Sequence, residues 1–232
     1  NGVLQAPISS YTISGSTIVF AAALTTDDSI DFITVLGDVL DLGVPSDGAV
    51  GNTQLADTLK VGKQSIWVPA TSMVPTASNG CASVATVETT SGRPDMNVLD
   101  FDKDSDEHAQ FSVAFPKSWN AGTVTFQFFW SGLAATTGVS MGLQGVAFAD
   151  NDSIDTAYGT AVVVDDDAQG AVEELLVSAE SGAVTIAGSP GDDELCYFRI
   201  FRDVSDSNDD MAGDCRLHGV KLFFTVDAYN DA

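Results

Sequence analysis

Two stretches of this chain alternate apolar and polar residues with a period of two. In Thr123–Trp130, Val124, Phe126, Phe128 and Trp130 fall on one parity, and Thr123, Thr125 and Gln127 on the other. Val220, Leu222, Phe224 and Val226 repeat the pattern near the end of the chain. That period turns successive side chains to opposite faces of a sheet, so each segment reads as a strand with one face buried. Further strands are expected at Gln64–Val68, Ala85–Thr89, Met96–Phe101, Ala109–Phe115, Gly142–Ala149, Ala161–Val164, Glu174–Ser178 and Leu195–Phe201. About ten short strands joined by Gly, Asn and Asp, with no helical period between them, predict a two-sheet sandwich of the jelly-roll kind. Asp150–Tyr158 and Ala168–Glu174 are each expected to hold a short helical turn.

Upstream the text differs. Val3–Leu4, Thr17–Phe20 and a third run from Ile30 to Val35 read as short strands, with turn signals at Ser14-Gly15-Ser16 and Thr26–Ser29. Three short strands make a sheet that is marginal alone. From Gly43 to Lys60 the residues are small, polar and turn-rich, with Val50 and Leu55 isolated among them. The predicted organisation is all-β: a small module at 1–42, an extended linker at 43–62 and a β-sandwich at 63–232.

Charge narrows the partners. The chain has 232 residues, 33 acidic and 9 basic, for a formal net charge of -24. Such a field repels phosphate backbones and anionic headgroups, so neither nucleic acid nor membrane insertion is expected. No apolar run approaches the roughly 20 residues of a membrane helix. Asn1 is not an initiator methionine, and residues before it are expected. Cys81, Cys196 and Cys215 are too few and scattered for a disulfide framework and are expected as buried free thiols.

The sequence offers no H-E-x-x-H and no P-loop, and only His108 and His218 could serve as a histidine base or ligand. Glycoside hydrolysis needs two carboxylates across a cleft, but among 33 acidic residues a pair can always be chosen, so the count decides nothing. No catalytic residue is therefore assigned. Asp100, Asp102, Asp104 and Asp106 alternate in a way that can wrap Ca²⁺, and Asp102, Asp104 and Asp106 are the weak metal candidates. Asp203, Asp206, Asn208, Asp210 and Asp214 form a second acidic loop, and neither loop follows the EF-hand pattern. No cofactor is expected unless one of these loops takes Ca²⁺. Flat rings suit sugar recognition, which makes Trp119, in a turn, and Tyr158 and Tyr229, near loop or terminal text, the glycan candidates. Trp67 and Trp130 fit apolar strand faces and are expected in the core.

The opening segments Asn1–Pro7, Tyr11–Phe20 and Leu24–Ile33 resemble a module of bacteriophage tail fibres. Trp67-Val-Pro-Ala70, Val87–Pro94, Leu99-Asp-Phe-Asp102, Glu107–Phe111, Pro116–Asn120, Thr160–Val164 and Gly219–Val226 look like the carboxy-terminal domain of phage virion structural proteins. The resemblance implies a homotrimer in which Val50 and Leu55 of the linker meet near a three-fold axis. It implies a non-enzymatic tail-fibre subunit assembled in the host cytoplasm, displayed on the virion surface beside other virion proteins, and adhering to a host surface glycan. A capsid decoration or head-fibre protein is the alternative, and a surface-polysaccharide depolymerase the third reading.

Overall fold

The structure is a computed structural model that describes residues 10–14, 17–23, 25–27, 29, 56, 61–132, 136–172 and 174–228. The chain divides into two units, Asn1–Val50 and Gly51–Ala232. In the first, β1 (Tyr11–Ser14) and β2 (Thr17–Phe20) pair antiparallel, with Ile13 and Val19 exposed, and residues 15 and 16 of the expected turn lie outside the described residues. The other strands expected in that unit, and the linker residues Val50 and Leu55, lie outside the described residues.

The second unit is the sandwich. Its strands are β3 (Gly62–Pro69), β4 (Val74–Pro75), β5 (Ala85–Glu88), β6 (Asp95–Phe101), β7 (His108–Ala114), β8 (Thr125–Gly132) and β9 (Gly138–Phe148). They continue with β10 (Val162–Asp167), β11 (Leu176–Val177), β12 (Ile186–Ala187), β13 (Leu195–Arg202) and β14 (Cys215–Val226). One sheet runs β11-β8-β14-β6-β5, with β3 also on β14; the other runs β10-β9-β13-β7-β4, with β12 parallel to β9. Taking β6 to β11, then β13 and β14, gives the eight-strand jelly roll: β6-β14-β8-β11 faces β7-β13-β9-β10, with the chain crossing between sheets at most joins.

Alternation fills the space between the sheets. Phe126, Phe128 and Trp130 of β8, Phe111 and Val113 of β7, Met141 and Leu143 of β9, and Phe198 and Ile200 of β13 share one core. In β14 the buried parity changes, from Cys215 and Leu217 to Val220, Leu222, Phe224 and Val226. A bulge against β8 between Leu217 and Gly219 inserts the extra residue, so both halves of this strand face the core. The same bulge extends the strand upstream of the clean alternation that marked only Val220–Val226 in the sequence.

Two expectations are corrected. The segment 150–158 forms turns and bends, and no helix forms in the described residues of 168–174. At the first, Asp152 N–H reaches the Ala149 carbonyl while the Asp152 carboxylate accepts from Ala149 N–H, a closed turn with no reason to propagate. Among the described residues the one helical turn is a 3-10 turn at Ala70–Ser72.

Candidate functional site

The outward face of the sheet containing β3, β14, β8 and β11 gathers the groups best suited to meet a ligand. Register sets them in rows: Pro69, Gly219, Phe129 and Val177 in one, Trp67, Lys221 and Gln127 in the next, and Ser65, Phe223 and Thr125 in a third. Trp67 is 48% exposed, the one aromatic among the exposed large hydrophobic residues described. Its indole lies over Gly219, where a Cβ would stand 2.6 Å from both Cζ2 and Cη2 of the ring. The edge of Phe129 meets it at 4.9 Å between centroids and 80°. Glycine here is what allows the ring to lie down against the sheet.

Polar groups fill the row of Trp67 and the rows beyond it on the same face. Lys221 and Lys63 place their ammonium groups over Phe223 at 5.0 and 5.2 Å from the centroid. Lys63 also donates to Glu180, as does Thr125, and these two bonds hold the Glu180 carboxyl below its ordinary range. Gln127 Nε2 donates to the Ser178 carbonyl. An apolar ring beside fixed donors and acceptors can stack on one face of a sugar and hydrogen-bond its hydroxyls.

The expectation that Trp67 fits an apolar, buried strand face is corrected: Ile66-Trp67-Val68 is an unbroken apolar run, from which the period of two cannot tell inside from outside. Val68 takes the inward position, so Trp67 faces out. Trp119 is the converse correction. It is 4% exposed, its backbone bridges Val226, and its ring packs on Phe115 at 4.2 Å, so it closes the end of the core and is withdrawn as a glycan contact. The turn at 116–120 folds inward: Trp119 N–H bonds the Pro116 carbonyl. Tyr158 is half-buried on the opposite sheet, over Arg199. Tyr229 lies outside the described residues. Trp130 is buried as expected, and its Nε1 donates to Asp166 at 2.6 Å.

The acidic loops are organised by internal bonds. Asp102 accepts from Asp104 N–H at 2.7 Å, Asp106 accepts from Val204 N–H at 3.0 Å, and Asp104 pairs with Lys103. Asp100 faces Arg216 at 3.6 Å, and burial raises its carboxyl above the ordinary range despite that cation. The second loop wraps a cation of the protein itself. Arg202 is fully buried and makes five hydrogen bonds: two to the Asp209 carboxylate at 2.8 and 2.7 Å, and three to the carbonyls of Phe101, Gly213 and Met211. Among the described residues no group of three or more His, Cys, Asp or Glu side chains is placed to hold a metal ion.

One motif escaped the sequence reading: Gly138-Val-Ser-Met-Gly142 has the G-x-S-x-G spacing of a hydrolase nucleophile elbow. An elbow needs its serine on a sharp strand-to-helix turn. Ser140 instead lies within β9, is fully buried, and donates to Asp165 at 2.6 Å rather than to a histidine. His218 faces Ser131 at 3.0 Å, with burial holding it below the usual imidazole range, and His108 contacts the Asn79 carbonyl. A hollow lined by Asp165, Asp166, Asp167, Gln169 and Asn208 brings carboxylates together, but Ser140 and Asn208 occupy Asp165 and Trp130 occupies Asp166. The three cysteines are buried and free, and burial pushes each thiol up to about 12.

No family model matches this chain, and no curated protein matches it. Solved structures are similar at low identity. The isomalto-dextranase of Arthrobacter globiformis T6 complexed with panose aligns with 69% of the chain at 18% identity and TM-score 0.41, and the chain spans 23% of that enzyme. The xylan-binding CBM22-2 domain of Paenibacillus barcinonensis aligns with 68% at 11% identity and TM-score 0.38, covering 97% of that domain. The family 11 carbohydrate-binding module of Clostridium thermocellum, in complex with a mixed-linked tetrasaccharide, aligns with 76% at 11% identity and TM-score 0.34, covering 95% of the module. The sandwich architecture itself rests on the strand pairing described above.

Proposed function

We propose that this protein is a non-catalytic glycan-binding module, and that the face carrying Trp67 is its binding surface. The exposed indole laid over Gly219 carries the reading. An isolated exposed tryptophan would be a liability in a soluble sandwich; one supported from below by a glycine, at the edge by Phe129, and bordered by Lys221 and Gln127 is a prepared stacking surface. A sheet face open along its length suits a polymer chain better than a closed pocket does.

The resemblance to phage fibre domains supports a setting on the virion surface as a homotrimeric tail-fibre subunit. Several copies held together would convert weak single contacts into avid adhesion through effective concentration. The exposed Ile13 and Val19 of the β1–β2 hairpin suit association between copies.

A glycan array spanning neutral and acidic polysaccharides tests the binding reading. Binders are expected, with Trp67→Ala weakening them by about thirtyfold, as for the loss of a stacked anchor of about 2 kcal/mol. An array without binders, or binders indifferent to Trp67→Ala, would overturn it.

A further inference from the structure

The opposite sheet also has a cation at the middle of its outward face. In a chain with 33 acidic and 9 basic residues, the ordinary partner of a cation is a carboxylate. Lys63, Lys103, Lys117, Arg202 and Arg216 each have one within 4.0 Å. Arg199, like Arg93 and Lys221, has none among the described residues, and of these three it alone has its charged group held by a hydrogen bond to another side chain. It sits on β13 between β9 and β7, level with Gln144 on one side and Gln110 on the other. Gln144 Oε1 accepts from its Nε at 2.8 Å and from its Nη2, which fixes the guanidinium plane. The ring of Tyr158 covers it at 5.0 Å, and the Tyr158 hydroxyl reaches Gln110 at 3.4 Å. Nη1 donates to no described residue, and it is not among the buried polar atoms lacking a partner.

A guanidinium oriented by a neutral amide, backed by an aromatic ring and left with an open N–H edge is arranged for an anion from outside. We propose that this face is a second binding site and that it takes a carboxylated sugar of the uronate class, with Arg199 pairing the carboxylate and Tyr158 and Gln110 flanking the ring. Charge complementarity selects this occupant. The acidic surface as a whole repels an anionic glycan, and here a cation already oriented by Gln144 stands without a carboxylate of its own. The inference extends the glycan-binding reading to a second face, and its test separates the two.

The probes are trigalacturonate and its fully methyl-esterified form, titrated into isotope-labelled protein and followed by nuclear magnetic resonance. Trigalacturonate is expected to shift the Arg199 side-chain N–H and Tyr158 ring signals. Affinity should fall about tenfold or more on methyl esterification and in Arg199→Gln, as for one charge-assisted contact. Arg199→Lys, which keeps the charge, should retain part of it. Thermal melting of both variants confirms that they fold. Shifts confined to the Trp67 face would overturn this site and leave the proposed function standing. No shifts anywhere, equal binding of the ester, or Arg199→Gln binding as well as the original chain would each overturn it.

Discussion

Gly219→Ala tests whether the orientation of Trp67, rather than its mere presence, makes the binding surface. The added Cβ would lie 2.6 Å from the indole and 2.6 Å from the Val68 carbonyl oxygen on the paired strand. Reaching an ordinary contact of 3.4 Å requires 0.8 Å of relief, 3.4 minus 2.6, at both. The indole can swing away, but the carbonyl belongs to the β3–β14 ladder and moves only with that strand. Overpacking of this kind costs about 1–3 kcal/mol. Trp67→Ala removes a ring that is about half buried, roughly 100 Å² at ~25 cal/mol/Å², or about 2.5 kcal/mol as an upper bound. Binding and stability then separate in a double-mutant cycle read by urea unfolding and glycan titration. Gly219→Ala should lower glycan affinity although Trp67 remains, and should lower it no further once Trp67 is already alanine. Its cost in stability should persist in the double variant, because the carbonyl contact does not depend on the ring. A Gly219→Ala protein that binds glycan as well as the original chain would refute the argument that the flat indole is the platform.

Asp209→Asn should destabilise the sandwich by about 3–5 kcal/mol, since it leaves the buried Arg202 guanidinium without its countercharge. At roughly 2–4 °C per kcal/mol for a domain of this size, melting should fall by about 6–20 °C, with a shift below about 2 °C contradicting the role given to the pair. The cysteines set an alkaline limit: a thiol that titrates near 12 in the fold keeps a proton that the unfolded chain, with its ordinary value of 9.0, has lost. Stability therefore declines as pH rises above 9.0, by about 1.4 kcal/mol per pH unit for each thiol. Denaturant unfolding at pH 8 and pH 10 measures this, and a Cys196→Ala variant whose pH slope matches that of the original chain would sink the assignment.

The sheet strands were legible wherever the period of two was clean. β8 and β13 fall within two residues of their expected bounds because the buried parity is apolar throughout β8 and in β13 up to the terminal Arg202, while the other parity is mixed. Legibility failed where the parity carried no information. Ile66-Trp67-Val68 has no polar member, and only pairing with β14 decides which side faces out. Trp119 lies in turn text, yet the turn folds back so that the ring caps the core against Phe115. β4 and β12 are two residues each, too short to show a period at all. The second acidic loop read as a possible cation site, and it does surround a cation. That cation is Arg202, the residue just before Asp203, whose place at the buried end of a strand gives no sequence sign that it turns into the loop and whose role shows only in its five bonds.

The two outward faces share a device that bears on how they would bind. On one, Trp67 lies over Gly219; on the other, Phe201 lies over Gly142, where a Cβ would stand 2.3 Å from the ring, and Phe201 stacks on His108 at 5.5 Å. In each case the missing Cβ lets a ring from the adjacent strand rest against the backbone in a fixed orientation. A ring fixed before the ligand arrives loses little further freedom on binding, so more of its contact energy becomes affinity. The device alone does not make a binding surface, because Phe201 is more deeply covered by its neighbours than Trp67, about half of which is exposed. What distinguishes the Trp67 face is that the strand bearing the ring, β3, pairs only with β14, which leaves the far side of the indole uncovered along the sheet edge. On the opposite face the middle of the sheet is held by Arg199 under Tyr158, so recognition there would run through charge, whereas on the Trp67 face it would run through stacking.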